Sequence, residues 1–191
     1  MTNDIASERT RWTVHGERLV DENPHIRLSI ASVELPTGVN FEQYVMRMRR
    51  CAMTVVLDDD ASSVLLMWRH RFIIDRWVWE LPGGYIDADE DGAVAAAREV
   101  EEETGWRPHE VEHVLTFQPM IGNADYPQDV YLARGARQVG VPEADEAEAV
   151  RWVPLSEASD MIKRGEIVGG ATIIGIQHAL LLAAAGGPRT A

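Results

Sequence analysis

The chain has 191 residues, with 18 Lys and Arg against 31 Asp and Glu and a formal net charge of −13 at pH 7. That length suits one domain with a full core, and 46% hydrophobic with 26% charged residues excludes a disordered chain. Such a charge argues against a nucleic-acid backbone or an anionic membrane as a general partner, and an anionic small-molecule substrate then needs local arginines or metal ions.

Residues 1 to about 10 are polar, lack a signal-peptide core and are expected to be loose. Three strand-like runs follow at 11–20, 26–35 and 41–48, punctuated by Asn23-Pro24 and Pro36-Thr37-Gly38. They predict a small antiparallel sheet over residues 1–48, ahead of a main domain over 49–185 and a tail at 186–191. The single cysteine, Cys51, allows no intrachain disulfide and fits a reducing cytoplasm. It opens the apolar run Cys51–Leu57, which predicts a hairpin with Val64–Trp68 around a solvated Asp58-Asp59-Asp60 turn. Trp77–Leu81 reads as a strand broken by Pro82-Gly83-Gly84, whose glycines let the backbone approach a ligand or metal.

Residues 93–103 are rich in Ala and Glu with no Gly or Pro, which predicts a helix. Asp89, Glu90 and Asp91 suit its positive N-terminus, and Gly105 suits a left-handed C-cap. At about 100° per residue, Ala93, Ala96, Ala97, Val100 and Thr104 fall on one side. Glu99, Glu102 and Glu103 share an adjacent arc of roughly 100°, with Ala95 leaving room beside them, while Glu101 points away to solvent. Like charges at this spacing cost about 0.2–0.5 kcal/mol per exposed pair, and more where water is excluded. A divalent cation removes that cost, and oxygen ligands favour Mg²⁺ or Mn²⁺ over zinc. Spacing alone leaves a solvated acidic face as the alternative.

Beyond the helix, strands are expected at 111–117, 130–133 and 149–153, with loops at 119–127 and 138–148, the latter rich in acids. Ser156 is expected to cap a short helix that ends at Gly165, and 171–185 to form a last helix, apolar as a core helix rather than a membrane span. The pattern predicts an α/β sandwich. His109-Glu110-Val111-Glu112-His113 matches H-E-x-x-H, but the segment reads as strand, which would hold the two histidines about 13 Å apart. The zinc reading is rejected.

Gly84, Glu90, Arg98, Glu99, Glu102, Glu103 and Gly105 stand at the spacing G-x5-E-x7-R-E-x2-E-E-x-G, with Val100 and Trp106 in the apolar slots. This resembles the Nudix box of the Nudix hydrolases, which cleave nucleoside diphosphates linked to another moiety. Weaker matches in order along the chain resemble the ADP-ribose pyrophosphatase branch: Glu22-Asn23-Pro24, residues 33–38, Arg69-His70-Arg71, residues 80–84, residues 147–155 and Gly165-Glu166-Ile167. The resemblance implies an α/β/α sandwich with a mixed sheet, and a cytoplasmic homodimer whose N-terminal strands complete the partner's pocket. It implies metal ligation by Glu99, Glu103 and the Gly83 carbonyl, with Glu102 on a second ion or bound through water. Glu90 and Arg98 would brace the box, with Gly84 and Gly105 structural, and Pro119 would lie in a substrate loop. Two departures leave the substrate open: Pro119-Met120-Ile121-Gly122 replaces a Ser-Pro-Gly loop, and Asp125 and Asp129 stand where a Glu is usual.

The expected reaction is Mg²⁺-dependent attack of water on one phosphorus of a nucleoside diphosphate sugar, ADP-ribose first, giving AMP and ribose 5-phosphate. Alternatives are another nucleotide substrate, or a Nudix-like sensor that binds without cleaving. Two sources of the general base are open: a box glutamate, Glu102 or Glu103, or the acidic loop through Glu146 or Glu148. Arg71 and Arg76 are candidates for the diphosphate, with structural roles as the alternative. Trp12, Trp68 and Tyr44 are candidates to stack on a base, with core packing favoured for each.

Overall fold

A computed structural model describes residues 8–143 and 145–185. The expected tail, 186–191, and most of the expected loose N-terminus, 1–7, lie outside the described residues. Glu8–Thr10, also expected to be loose, form a 3-10 turn. The strands are β1 (Thr13–Glu22), β2 (Ile26–Glu34), β3 (Asn40–Met48), β4 (Cys51–Leu57), β5 (Ser63–Arg71), β6 (Arg76–Glu80), β7 (Gly83–Tyr85), β8 (Trp106–Pro108), β9 (Val111–Phe117), β10 (Ala124–Asp125), β11 (Gln128–Arg134), β12 (Ala136–Gln138) and β13 (Ala149–Pro154). The helices are α1 (Gly92–Thr104), α2 (Leu155–Arg164) and α3 (Gly170–Ala185).

The chain divides into two units, residues 1–49 with 120–126, and residues 50–119 with 127–191. In the first, β1, β2 and β3 form an antiparallel sheet. Asn23 turns the chain between β1 and β2, its side-chain oxygen accepting the N–H groups of His25 and Ile26 at 2.8 and 2.9 Å. β10 adds a short parallel strand beside β3, where residues 119–127 were expected to be all loop. Its two residues are too few to carry a period, and its partner lies far away in sequence. Trp12 and Tyr44 are exposed, at 54% and 61%, so the core packing favoured for them is not what they do. Trp12 meets Phe41 edge to face at 5.6 Å.

The second unit is a three-layer α/β/α sandwich. Its mixed sheet runs β13-β5-β4-β11-β9, with β4 and β11 parallel and the other pairs antiparallel. β4 is a continuous apolar run because both its faces are covered. Val56 of β4, Leu65 of β5 and Ala133 of β11 pack with Val100 of α1. Their neighbours Val55, Leu57, Val64, Leu66, Val130 and Leu132 point the other way, into a larger cluster with Ala158 and Met161 of α2 and Ile176 of α3. α2 starts after Pro154 with no side-chain cap, so Ser156 is not the cap expected; Leu155 is already buried in the first turn. Gly165 ends α2 in the left-handed conformation. Trp68 stacks on Trp77 at 6.0 Å and lies 5.2 Å from Trp79, packed rather than open. Among the described residues no helix is long and apolar enough to cross a membrane.

One feature of the sheet positions the site. β4 and β5 pair only near their hairpin, at Leu57 and Val64, and then diverge. β6 pairs with β5 and β7 with β4, so the segment through Pro82 fills the gap. The Pro82 carbonyl accepts the Thr54 N–H at 2.9 Å. Gly83 and Gly84 thereby enter the sheet beside Met53 and Ala52.

Candidate active site

α1 begins where Asp91 accepts the N–H groups of Ala93 and Val94, and ends at Gly105, φ 73°. Its fully buried residues are Ala95, Ala96, Val100, Glu103 and Thr104. The buried stripe is therefore rotated toward the acids: Ala95 does not leave open room beside them but is itself buried. Glu101 is not simply hydrated. It pairs with Arg107 at 2.5 and 2.6 Å.

The three glutamates differ in exposure. The Glu103 side chain is 6% exposed, Glu99 15% and Glu102 39%. Glu99 lies against the backbone of β7, so close that a Cβ on Gly84 would come within 2.5 Å of its Oε2. A side chain there would push the Glu99 carboxylate aside. A Cβ on Gly83 would meet the Ala52 carbonyl oxygen at 2.2 Å, so this position requires glycine. The Gly83 N–H donates to Glu103 Oε2 at 2.6 Å.

Arginines complete the network. Arg98 forks onto Glu90 with two bonds of 3.0 Å and reaches Glu99 at 2.8 Å, Glu102 at 3.0 Å and the Tyr85 carbonyl at 3.3 Å. The ion pair holds Glu90 below the usual carboxylate range. Arg69 of β5 donates to Glu103 Oε1 at 2.7 Å and to Glu146 Oε2 at 3.0 Å. Burial pushes Glu103 up to about 7, against the pull of the Gly83 N–H and Arg69. Burial also raises Glu99, opposed by Arg98.

The structure thus joins Gly83, Gly84, Glu90, Arg98, Glu99, Glu102, Glu103 and Glu146 in one set of contacts. Glu148 is outside it and lines a hollow of about 530 Å³ with Trp106 and Trp152. Arg71 pairs with Glu80 at 2.6 Å, within the electrostatic reach of Glu103 and Glu146. Arg76 donates to the Gly165 carbonyl at 2.7 Å, capping α2. Pro119 is exposed at the end of β9. A cavity of about 460 Å³ opens beside Arg98, Glu102, Glu143 and residues 139–141. His113 lies on β9, 3.4 Å from Asp129, and shares no helix with His109. Asp129 itself is buried; Arg50 and Thr116 outweigh the cost of that burial and hold it below the usual range.

Sequence reasoning did not find Arg69 as a site residue. The available signal was its i,i+2 relation to Arg71, which puts both side chains on one face of a strand. Among the described residues no three acidic, His or Cys side chains already converge as a metal cage. The donor set nevertheless suits a hard divalent cation. It offers carboxylate oxygens, with Glu103 buried and Glu99 partly buried at a cost that a cation would relieve. Each of Glu99, Glu102 and Glu103 accepts its arginine bond through one oxygen and keeps further lone pairs for such an ion.

A family model described as NUDIX domain matches residues 48–170. The chain is 47% identical, over 92% of its length and 85% of the relative's, to a CMP-5′-(N-acetyl-N-hydroxy-3-aminopropyl)phosphonate hydrolase of Streptomyces rubellomurinus. It is 36% identical to an ADP-ribose pyrophosphatase of Mycobacterium tuberculosis, over 65% of this chain and 62% of that one. A crystal structure of an ADP compounds hydrolase superposes with a TM-score of 0.79 at 18% identity, covering 92% of this chain and 96% of the other, a likeness of fold.

Proposed function

From the premise that this chain belongs to the Nudix family and is a pyrophosphatase-type hydrolase of nucleotide diphosphate compounds, we propose that it cleaves a nucleoside diphosphate sugar, ADP-ribose first. Water adds to one phosphorus, the bridging P–O bond breaks, and AMP and ribose 5-phosphate leave. The observation that carries this reading is the buried Glu103 and the partly buried Glu99 packed on the Gly83–Gly84 backbone. Glu99, Glu103 and the Gly83 carbonyl would hold Mg²⁺ or Mn²⁺, with Glu102 on a further ion or bound through water. A bound ion lowers the pKa of water and neutralises charge on the phosphate oxygens.

The chain's own residues supply the rest. Arg98, locked on Glu90, orients Glu99 and Glu102. Glu146 shares Arg69 with this set, which supports it as the loop carboxylate that takes the proton of water. Arg71 can turn to the diphosphate, while Arg76 serves α2. The proposal includes a cytoplasmic homodimer. One cysteine suits a reducing compartment, and the outward Trp12, Leu19 and Tyr44 of the N-terminal sheet offer a second copy an apolar surface.

A second reading is favoured by the 47% identity to the phosphonate hydrolase. There the substrate is a nucleoside 5′-phosphoryl phosphonate, with the same bridge to break, and CMP and a free phosphonate as products. The test is product identification by mass with ADP-ribose and with a cytidylyl alkylphosphonate, each with Mg²⁺. The preferred substrate is the one with the higher kcat/KM. Undiminished turnover in Glu103→Gln would overturn the ligand set. Tight nucleotide binding with no cleavage would leave a sensor.

A further inference from the structure

Two loop glutamates were candidates for the same task, and one arginine separates them. Arg69 sits in β5, opposite Val78 of β6, with its side chain 18% exposed. One nitrogen of its guanidinium holds Glu103 of the box helix and another holds Glu146 of the acidic loop. A planar fork of this kind sets the separation and orientation of two carboxylates at once.

The loop is held elsewhere by its backbone. The Val139 and Gly140 N–H groups donate to the Gly105 carbonyl at 2.9 and 3.1 Å, and the Glu143 N–H donates to the Glu102 carbonyl at 2.8 Å. At the far end the Glu148 N–H donates to the Trp68 carbonyl at 2.9 Å. Between these points Asp145 takes a left-handed conformation, φ 73°, which costs a non-glycine residue energy. That turn directs Glu146 to Arg69, while Glu148, two residues on, is exposed at the Trp106–Trp152 hollow.

We propose that Arg69 is a positioning residue: it ties Glu146 to the box helix and so makes Glu146, not Glu148, the loop carboxylate presented to the reacting phosphate. This rests on the diphosphate-hydrolase reading. A lysine at 69 keeps the charge but has no fork, so it holds one carboxylate and not both.

The test compares Arg69→Met, Arg69→Lys, Glu146→Gln, Glu148→Gln and the Arg69→Met/Glu146→Gln double variant, by steady-state kinetics and by hydrogen exchange. Misplacing a group by about 1 Å costs roughly 10²-fold, so Arg69→Met is expected to lower kcat on that order, with KM moving far less. Arg69→Lys recovers little of the loss. The double variant is no slower than Glu146→Gln alone, and Glu148→Gln stays close to the wild type. The amides of residues 145–148 exchange faster in Arg69→Met, while those of β5 do not. Wild-type kcat in Arg69→Met, multiplying losses in the double variant, or unchanged exchange of the loop would each overturn the proposal. If the wild type cleaves no nucleoside diphosphate compound, the functional reading fails by itself, and the exchange comparison still decides whether Arg69 holds the loop.

Discussion

Two strands of different units, β1 and β4, are built on opposite terms. β1 is exposed at all ten positions, whereas six of the seven residues of β4 are buried. β1 and its neighbours are laced by surface ion pairs such as Arg47–Glu17, Arg27–Glu22 and Arg18–Glu42. Such pairs are worth about 0–1 kcal/mol each. β4 is held by side chains packed on both faces, where deleting one large group costs about 2–5 kcal/mol. The box glycines and carboxylates belong to the second kind of structure. The proposed chemistry thus resides in the unit that cannot easily change, while the exposed polar positions of β1 can vary at little energetic cost. A family with one reaction and many substrates is consistent with that division.

The largest test of this contrast is Glu103→Gln. Activity should fall by about 10²–10³-fold or more, as when a key electrostatic group is lost. Stability should move the other way. The folded pKa of Glu103, about 7, lies above the ordinary carboxyl value of 4.5. Its stabilising contribution is therefore complete below pH 4.5 and is lost as pH rises through 7. With EDTA present at pH 8, the variant should be more stable than the wild type by up to about 3 kcal/mol, and the gap should close on acidification. Paired denaturant titrations at the two pH values would show it; equal stability throughout would mean that Glu103 carries no such burden.

Next in size is Gly84→Ala. The new methyl collides with the Glu99 carboxylate, which is the far end of a flexible side chain. Turnover should drop on the order of 10²-fold from displacement of Glu99, with a small change in Tm. A large fall in Tm with activity retained would show that Gly84 serves packing alone.

Asp129→Asn should cost about 1–3 kcal/mol, because it removes the charge partner of Arg50 from a buried position. The folded pKa of Asp129 is depressed, so its contribution is present above the unfolded value, near 4, and is lost as pH falls through the folded value. The destabilisation, read by chemical denaturation, should be full at pH 7 and shrink below about pH 4. The smallest effect belongs to the N-terminal sheet: Arg47→Ala should change stability by under about 1 kcal/mol at ordinary salt. A loss several times larger would erase the contrast between the two strands.

The box was legible because helical period and fixed spacing are both local properties. The sandwich was legible because a run such as Cys51–Leu57, apolar but for Thr54, has few other places to go. What escaped depends on partners remote in sequence. β10 exists because β3 is beside it. Arg69 matters because a helix 34 residues later and a loop 77 residues later bring carboxylates to it. Ser156 had the right chemistry for a cap, but the buried Leu155 starts the helix two residues earlier than such a cap would. Arg71 and Arg76 look equivalent in the sequence, and only tertiary contacts direct one to Glu80 and the other to the end of α2.

The wedge between β4 and β5 has a consequence for how the protein can be re-engineered. β6 and β7 are joined by Leu81 and Pro82 alone, and both ends are paired in register. The connection has no slack, so one residue inserted there would shift Gly83 and Gly84 off their partners and reverse the faces that β7 presents. The acidic stretch after β12 spans ten residues before β13 begins. Libraries that vary length are best placed there, upstream of Glu143, and those that vary only side-chain identity at the exposed polar positions of β1.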